Sequence, residues 1–380
     1  MGVRGYTIEP AFGNQRNIWL LLSVAVLALA VVLAACGADD DPPAAVAAEA
    51  SQTTATTDDR SSGDEDEDQP SNEVQEEVEE QEQALPDFPL TLTDDSGLEL
   101  TIPAAPLRVV AILPSVVDLV ADLGLADRLV GVDDFSLDDA PNAVSVGGNN
   151  FTFNIEAVAE LQPDLILIAI GGTEDFAQQA RELNFPVYAM GFPDSLQAVF
   201  QQLRLIGRML GEEQRGAALA AELEDRFLAI TQRAAAESQS LEPIRVYLEV
   251  DQSTPTQPFS IGPGSLHQEI IELAGGVNVF ASAQGSFPQV NWESIIDADP
   301  QLILLLNSKE LADELSFNPI SAAEVAQRIG WGEISAVQDG LVTPLPGDLF
   351  SVGARLVDAL ERVAEAIADA RALTAQDDAA

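Results

Sequence analysis

The sequence holds one cysteine, Cys36, one histidine, His267, and one lysine, Lys309. A lone cysteine excludes a disulfide framework. A lone histidine argues against a bare zinc or manganese site, where several imidazole and carboxylate ligands converge on one ion. The formal net charge is -46, so the cationic footprint needed for phosphate contacts is missing and nucleic acid is a poor partner. Catalytic signatures are equally scarce. Gly262-Pro263-Gly264 is a G-x-G without the third glycine of a dinucleotide fingerprint. There is no G-x-S-x-G elbow, and His267 has no evident Ser or Cys partner. A secreted enzyme on Rossmann-like lobes is therefore the weaker reading, and no cofactor is expected.

What is present begins with an ordered N-terminus. Met1 to Asn17 carries Arg4 and Arg16, and an apolar run from Ile18 to Ala35 stops at Cys36. That order is the layout of a secretory signal. The run approaches the length of a membrane span, but small residues stand directly against the cysteine. Leu33-Ala34-Ala35-Cys36-Gly37 resembles the lipobox of bacterial lipoproteins, which implies a signal peptide over 1–35 and a lipidated Cys36. A covalent lipid tethers without spanning. From 36 to 89 Pro, Ala, Thr, Ser, Asp, Glu and Gln dominate, with a like-charge run at Asp64-Glu65-Asp66-Glu67-Asp68. Such a stretch buries too little apolar surface to offset its ordering entropy, and it predicts a disordered acidic leash.

The remainder repeats itself. Asn154-Ile155-Glu156 and Asn291-Trp292-Glu293 stand 137 positions apart, as do Pro163 and Pro300, and Pro106 and Pro243. Three pairings in one register argue for duplication. Each copy reads as a buried strand, Arg108 to Leu113 or Arg245 to Val250, then a helix, Val116 to Leu123 or Leu266 to Leu273. A second helix opens at Asn154 or Asn291, and a strand follows, Leu165 to Ala169 or Leu302 to Leu306. Strands alternating with helices predict an α/β fold, with a parallel sheet covered on both faces in each of two Rossmann-like lobes. Between the copies, Ser195 to Ser238 reads as two helices divided at Gly211. The second, Glu212 to Glu237, would be about 39 Å long, a backbone helix and not a flexible hinge. The boundaries expected are 90–211 for the first lobe, 212–240 for the linking helix and 241–375 for the second lobe. A shallow cleft between the lobes would hold a ligand.

In order and spacing these features resemble the substrate-binding proteins with a single long backbone helix, in the branch serving ABC importers of iron chelates and cobalamin. The resemblance rests on the lead-in Leu92 to Pro103, turned at Ser96-Gly97, and on Val146-Gly147-Gly148 running to Asn154-Ile155-Glu156 and Leu161-Gln162-Pro163-Asp164-Leu165. It continues in Leu273 to Phe280, in Pro288 to Glu293 and in Arg355 to Leu360. It implies a monomer on the extracytoplasmic face of the cell membrane. It also implies that one glutamate on each lobe, here Glu156 and Glu293, docks onto arginines of the permease. Capping by Asn154 and Asn291, with an acid in the first turn, would account for these positions too. Yet capping does not require glutamate at the same place in both copies.

Several of the few aromatics fall on loops where the lobes should face each other: Phe135, Phe151, Phe153, Phe259, Phe287 and Phe350. Pockets favour aromatic walls with a few polar anchors, and these six with Asp348 are the candidate ligand contacts. In the cobalamin-binding relatives, aromatics line the cleft at positions similar to Phe135, Phe259 and Phe287, and an acid resembles Asp348. His267 falls within a helix after Gly262-Pro263-Gly264-Ser265, in a structural place or at the cleft edge. Haem receptors present Tyr or His to the iron, whereas Tyr188 and Tyr247 fall on expected strands. Anionic siderophores call for arginines in the cleft, and most arginines here fall on expected helices or at strand starts. A bulky, largely neutral chelate, corrinoid or siderophore, is the expected cargo; a haem or transition-metal receptor is the alternative.

Overall fold

The computed structural model describes residues 88–148, 151–239, 241–251, 254, 256–306, 308–311 and 319–377. The expected signal peptide, Cys36 and nearly all of the acidic stretch lie outside them. No helix among the described residues is long and apolar enough to cross a membrane.

The lead-in forms an antiparallel hairpin of β1 (Leu90–Thr93) and β2 (Glu99–Ile102). Asp94 shapes its turn: Oδ1 accepts from the backbone N–H groups of Ser96 and Leu98, and Oδ2 receives Arg181 at 2.6 Å. The first lobe follows as β3 (Val109–Ile112), α1 (Pro114–Asp122), β4 (Leu129–Val132), β5 (Val144–Ser145), α2 (Ile155–Leu161), β6 (Leu165–Ala169), α3 (Glu174–Glu182) and β7 (Val187–Met190). Its five strands lie in the order β5-β4-β3-β6-β7, all pairs parallel. Strands β3, β6 and β7 are buried at every residue, as parallel strands covered on both faces must be.

Two helices lead out of the lobe, α4 (Leu196–Met209) and the 25-residue α5 (Glu213–Glu237). They cross where Gly207 meets Gly216: a Cβ on Gly207 would lie 2.8 Å from the Gly216 Cα. Only glycines let the two backbones approach so closely. The second lobe comprises β8 (Ile244–Glu249), α6 (Leu266–Leu273), β9 (Gly276–Asn278), α7 (Trp292–Ala298), β10 (Leu302–Leu305), α8 (Ala322–Ala326), α9 (Ser335–Gln338), β11 (Val342–Pro344) and α10 (Arg355–Asp377). Its strand order is β11-β10-β8-β9, again parallel throughout.

The duplication is visible in fine detail. Helices α2 and α7 end in the same left-handed C-cap, Gln162 at φ 46° and Asp299 at φ 42°. Arg108 donates to the Leu161 carbonyl, and Arg245 donates to the Asp299 carbonyl. One expectation changes at β3, which ends at Ile112. Leu113 adopts φ 82°, outside the strand region, and starts the turn into α1.

The main apolar cluster runs from β3 and α1 through Phe200, Leu223 and Ile230 to Val246 and Ile367 in the second lobe. Arg226 of α5 ties to Asp358 of α10 at 2.7 Å. A core that continues through the linking helices leaves little freedom for a hinge. Helix packing, more than chain flexibility, fixes how the lobes face each other.

Candidate ligand-binding site

A cavity of about 330 Å³ opens where the lobes meet. The first lobe contributes residues just past its strands, the usual place for a ligand in an open parallel sheet. These are Leu113 to Ser115 after β3, Ile170 and Gly171 after β6, and Phe192 and Pro193 after β7. The second lobe contributes the start of α6, Ser286-Phe287, and Phe350 to Val352.

The wall on the first-lobe side is held by a buried acid. Asp133, just past β4, is fully buried and accepts from Leu113 N at 3.0 Å, Phe135 N at 2.9 Å and Ser136 Oγ at 2.8 Å. Burial pushes its carboxyl above the usual range, and these three donors offset part of that cost. The strained Leu113 backbone thus has a specific partner holding it. Phe151, at φ 49°, lays its ring over Gly172, where an added Cβ would come within 3.2 Å of the ring.

On the second-lobe side His267, the second residue of α6, stacks on Phe350 with centroids 4.4 Å apart and meets Phe287 edge-on at 5.4 Å. Its Nδ1 is buried without a hydrogen-bond partner. Desolvation pulls the imidazole down to about 4, so it is neutral at physiological pH. The residue that sequence reasoning left between structure and cleft edge lines the cavity.

The expected contacts divide. Phe151, Phe287 and Phe350 line the cavity. Phe135 is half-buried in the loop pinned by Asp133 and is not among the lining residues. Phe153 packs on Phe176 with centroids 5.4 Å apart, within the apolar cluster behind the sheet. Phe259 forms backbone bridges with Asp251 and Gln289. Asp348 is exposed and pairs with Arg355 at 2.7 Å. Tyr188 and Tyr247 are buried on β7 and β8 and do not line the cavity.

Sequence reasoning missed Asp118 and Phe192, both of which line the cavity. Phe192 is 53% exposed for so large an apolar side chain. Asp118 had a legible signal: with Asp122 it forms an i, i+4 acid pair on a helix otherwise apolar apart from Ser115. Its carboxyl is pushed up to about 7, by burial first and then by Asp139.

Glu156 and Glu293 sit in the first turns of α2 and α7, and both are exposed. Asn154 Oδ1 accepts from Glu156 N and Ala157 N, and Asn291 Oδ1 accepts from Ser294 N at 2.8 Å. Each copy therefore presents its glutamate from a capped helix start, with the carboxylate in no ion pair among the described residues.

Three known proteins show what this architecture is like. An uncharacterised ABC transporter substrate-binding lipoprotein of Bacillus subtilis is 27% identical over 74% of this chain and 86% of its own length. A cobalamin-binding protein of Halobacterium salinarum is 28% identical over 73% of this chain and 74% of its own. The crystal structure of the periplasmic vitamin B12 binding protein of Vibrio cholerae superposes with a TM-score of 0.59 at 25% identity. That match covers 71% of this chain and 99% of the other. Residues 109–349 match the family described as periplasmic binding protein, and the chain belongs to that family.

Proposed function

We propose that the protein is the substrate-binding lipoprotein of an ABC importer, taking a corrinoid or a ferric siderophore into the cavity between its lobes and delivering it to the permease. The observation that carries this is the cavity itself, walled by phenylalanines from both lobes. Relatives named for cobalamin and vitamin B12 support the corrinoid half of the reading. Cys36 would carry the lipid and residues 36–89 the leash. Glu156 and Glu293 would read two cationic sockets on the permease through charge-assisted contacts. The protein would act as a monomer, since one chain supplies both glutamates.

A ligand screen tests the cargo. Cobalamin, cobinamide, ferric hydroxamates and haem are compared by tryptophan quenching and thermal shift. Stabilisation by a corrinoid or ferric siderophore is expected, and stabilisation by zinc or manganese alone would overturn the reading. Cell fractionation and uptake test the two cell-surface contacts. Cys36→Ala should move the protein out of the membrane fraction. The double variant Glu156→Ala/Glu293→Ala should abolish uptake with ligand affinity intact, and unchanged uptake would sink the docking assignment.

A further inference from the structure

We propose that Asp118 sets the charge class of the cargo: its carboxylate in the cavity wall favours cationic and neutral chelates and rejects anionic ones. The inference rests on the reading of the cavity as a chelate site and adds a selection rule to it.

Asp118 belongs to two spaces at once. It lines the ligand cavity, and it lines a smaller cavity of about 40 Å³ with Asp122, Asp139, Gly353 and Arg355. It makes no hydrogen bond or ion pair of its own among the described residues. Its neighbours are already engaged. Asp122 Oδ2 accepts from Ala354 N at 2.7 Å, and Arg355 pairs with Asp348 at 2.7 Å. The groups acting on Asp118 are therefore three carboxylates, Asp139, Asp122 and Asp348, and one guanidinium that is already shared. A carboxylic acid with no partner, in a wall surrounded by acids, gains most from a cation supplied by the ligand.

The rest of the wall adds no compensating charge. Among the described residues, no arginine or lysine lines the ligand cavity. His267 is held neutral at physiological pH and cannot pair with an anion. An anionic cargo would meet a carboxylate with no cation to balance it. The pKa of Asp118, pushed up to about 7, makes the selection dependent on pH. Below neutrality the group is protonated and charge-blind; above neutrality it is ionised and selective.

The test uses the purified full-length protein with two sets of matched probes. One is ferrioxamine B with its N-acetyl and N-succinyl derivatives, which share a ferric core and carry one positive, no net and one negative charge. The other is aquocyanocobinamide against cobyrinic acid, a cationic amide-rimmed corrinoid against a carboxylate-rimmed one. In the set that binds, the cationic member should bind roughly tenfold tighter than the anionic one at about pH 8, a preference shrinking toward unity at about pH 5.5. Asp118→Asn, its fold checked by thermal unfolding, should lose affinity for the cationic member relative to the anionic one, and with it the pH dependence of the preference. Equal binding of opposite charges at the higher pH overturns the proposal, as does a preference that survives in Asp118→Asn. Either result leaves the importer reading standing. Failure of every chelate in both sets to bind overturns both.

Discussion

The two lobes share a topology and differ in how each satisfies a buried acid. In the first lobe Asp133 is fully buried and is met by neutral donors, two backbone N–H groups and a serine hydroxyl. In the second lobe Glu249, at the end of β8, is equally buried and is met by a guanidinium. Arg328 approaches both of its oxygens at 2.7 Å, and Tyr247 donates to one of them at 3.0 Å. The consequences diverge. One of the neutral donors of Asp133, Leu113, belongs to the cavity wall, and the other two, Phe135 and Ser136, lie in the loop after β4. The Arg328 guanidinium lies over the rings of Trp331 and Trp292 at 4.5 and 5.6 Å, and Trp292 precedes Glu293 on α7. The first acid braces the cavity wall through Leu113, and the second braces the helix that carries Glu293, a proposed docking residue.

The comparison predicts unequal costs. Arg328→Met leaves Glu249 as an uncompensated buried charge and should cost about 3–5 kcal/mol in urea denaturation. Replacing Glu249 by Leu in the same chain should recover much of that loss, because a buried pair contributes little beyond an apolar pair of similar volume. Asp133→Ala leaves neutral donors unpaired and should cost about 1–3 kcal/mol. It should also weaken ligand binding more than Arg328→Met does, through the loss of Leu113. If Asp133→Ala proved the costlier of the two, the distinction between charge-paired and neutral satisfaction would fail.

Much of this frame was legible in the sequence because it rests on local, repeated signals. The fixed offset found the paired helices, and the structure places Asn154 and Asn291 as their caps. The division at Gly211 and the long α5 follow from composition and one helix breaker. The site was less legible because lining a cavity depends on where loops from two lobes converge. Phe153 was singled out by loop position, and Phe135, Phe259 and Asp348 also by the family resemblance; neither criterion can tell a cavity wall from the back of a sheet. Phe153 shows the difficulty: it follows the same loop as Phe151, yet it packs on Phe176 while Phe151 lines the cavity. Asp118 escaped because an acid in an apolar helix reads first as a solvent-facing position.

The smallest expected effect lies where the lobes meet and comes from two reciprocal caps. Asp122 of the first lobe accepts from Ala354 N, just ahead of α10 in the second. Glu269 of the second lobe accepts from Leu196 N at 2.9 Å, the first residue of α4 beyond the first lobe. Each carboxylate serves the start of a helix outside its own lobe, and truncation of either to Ala should cost about 1 kcal/mol. Their pH dependence sharpens the case. Burial raises both carboxyls above their ordinary values, so the folded chain holds a proton at pH values where the unfolded chain has released it. By linkage, the stability each contributes is complete below the unfolded value and is lost as pH rises through the folded one. The double variant Asp122→Asn/Glu269→Gln keeps a carbonyl acceptor at each cap and removes the titration. Its thermal midpoint should therefore gain on the parent protein as pH rises from the ordinary carboxylate range toward neutrality. A gain appearing on acidification would reverse the sign of the linkage and remove these carboxylates as the source of the pH response.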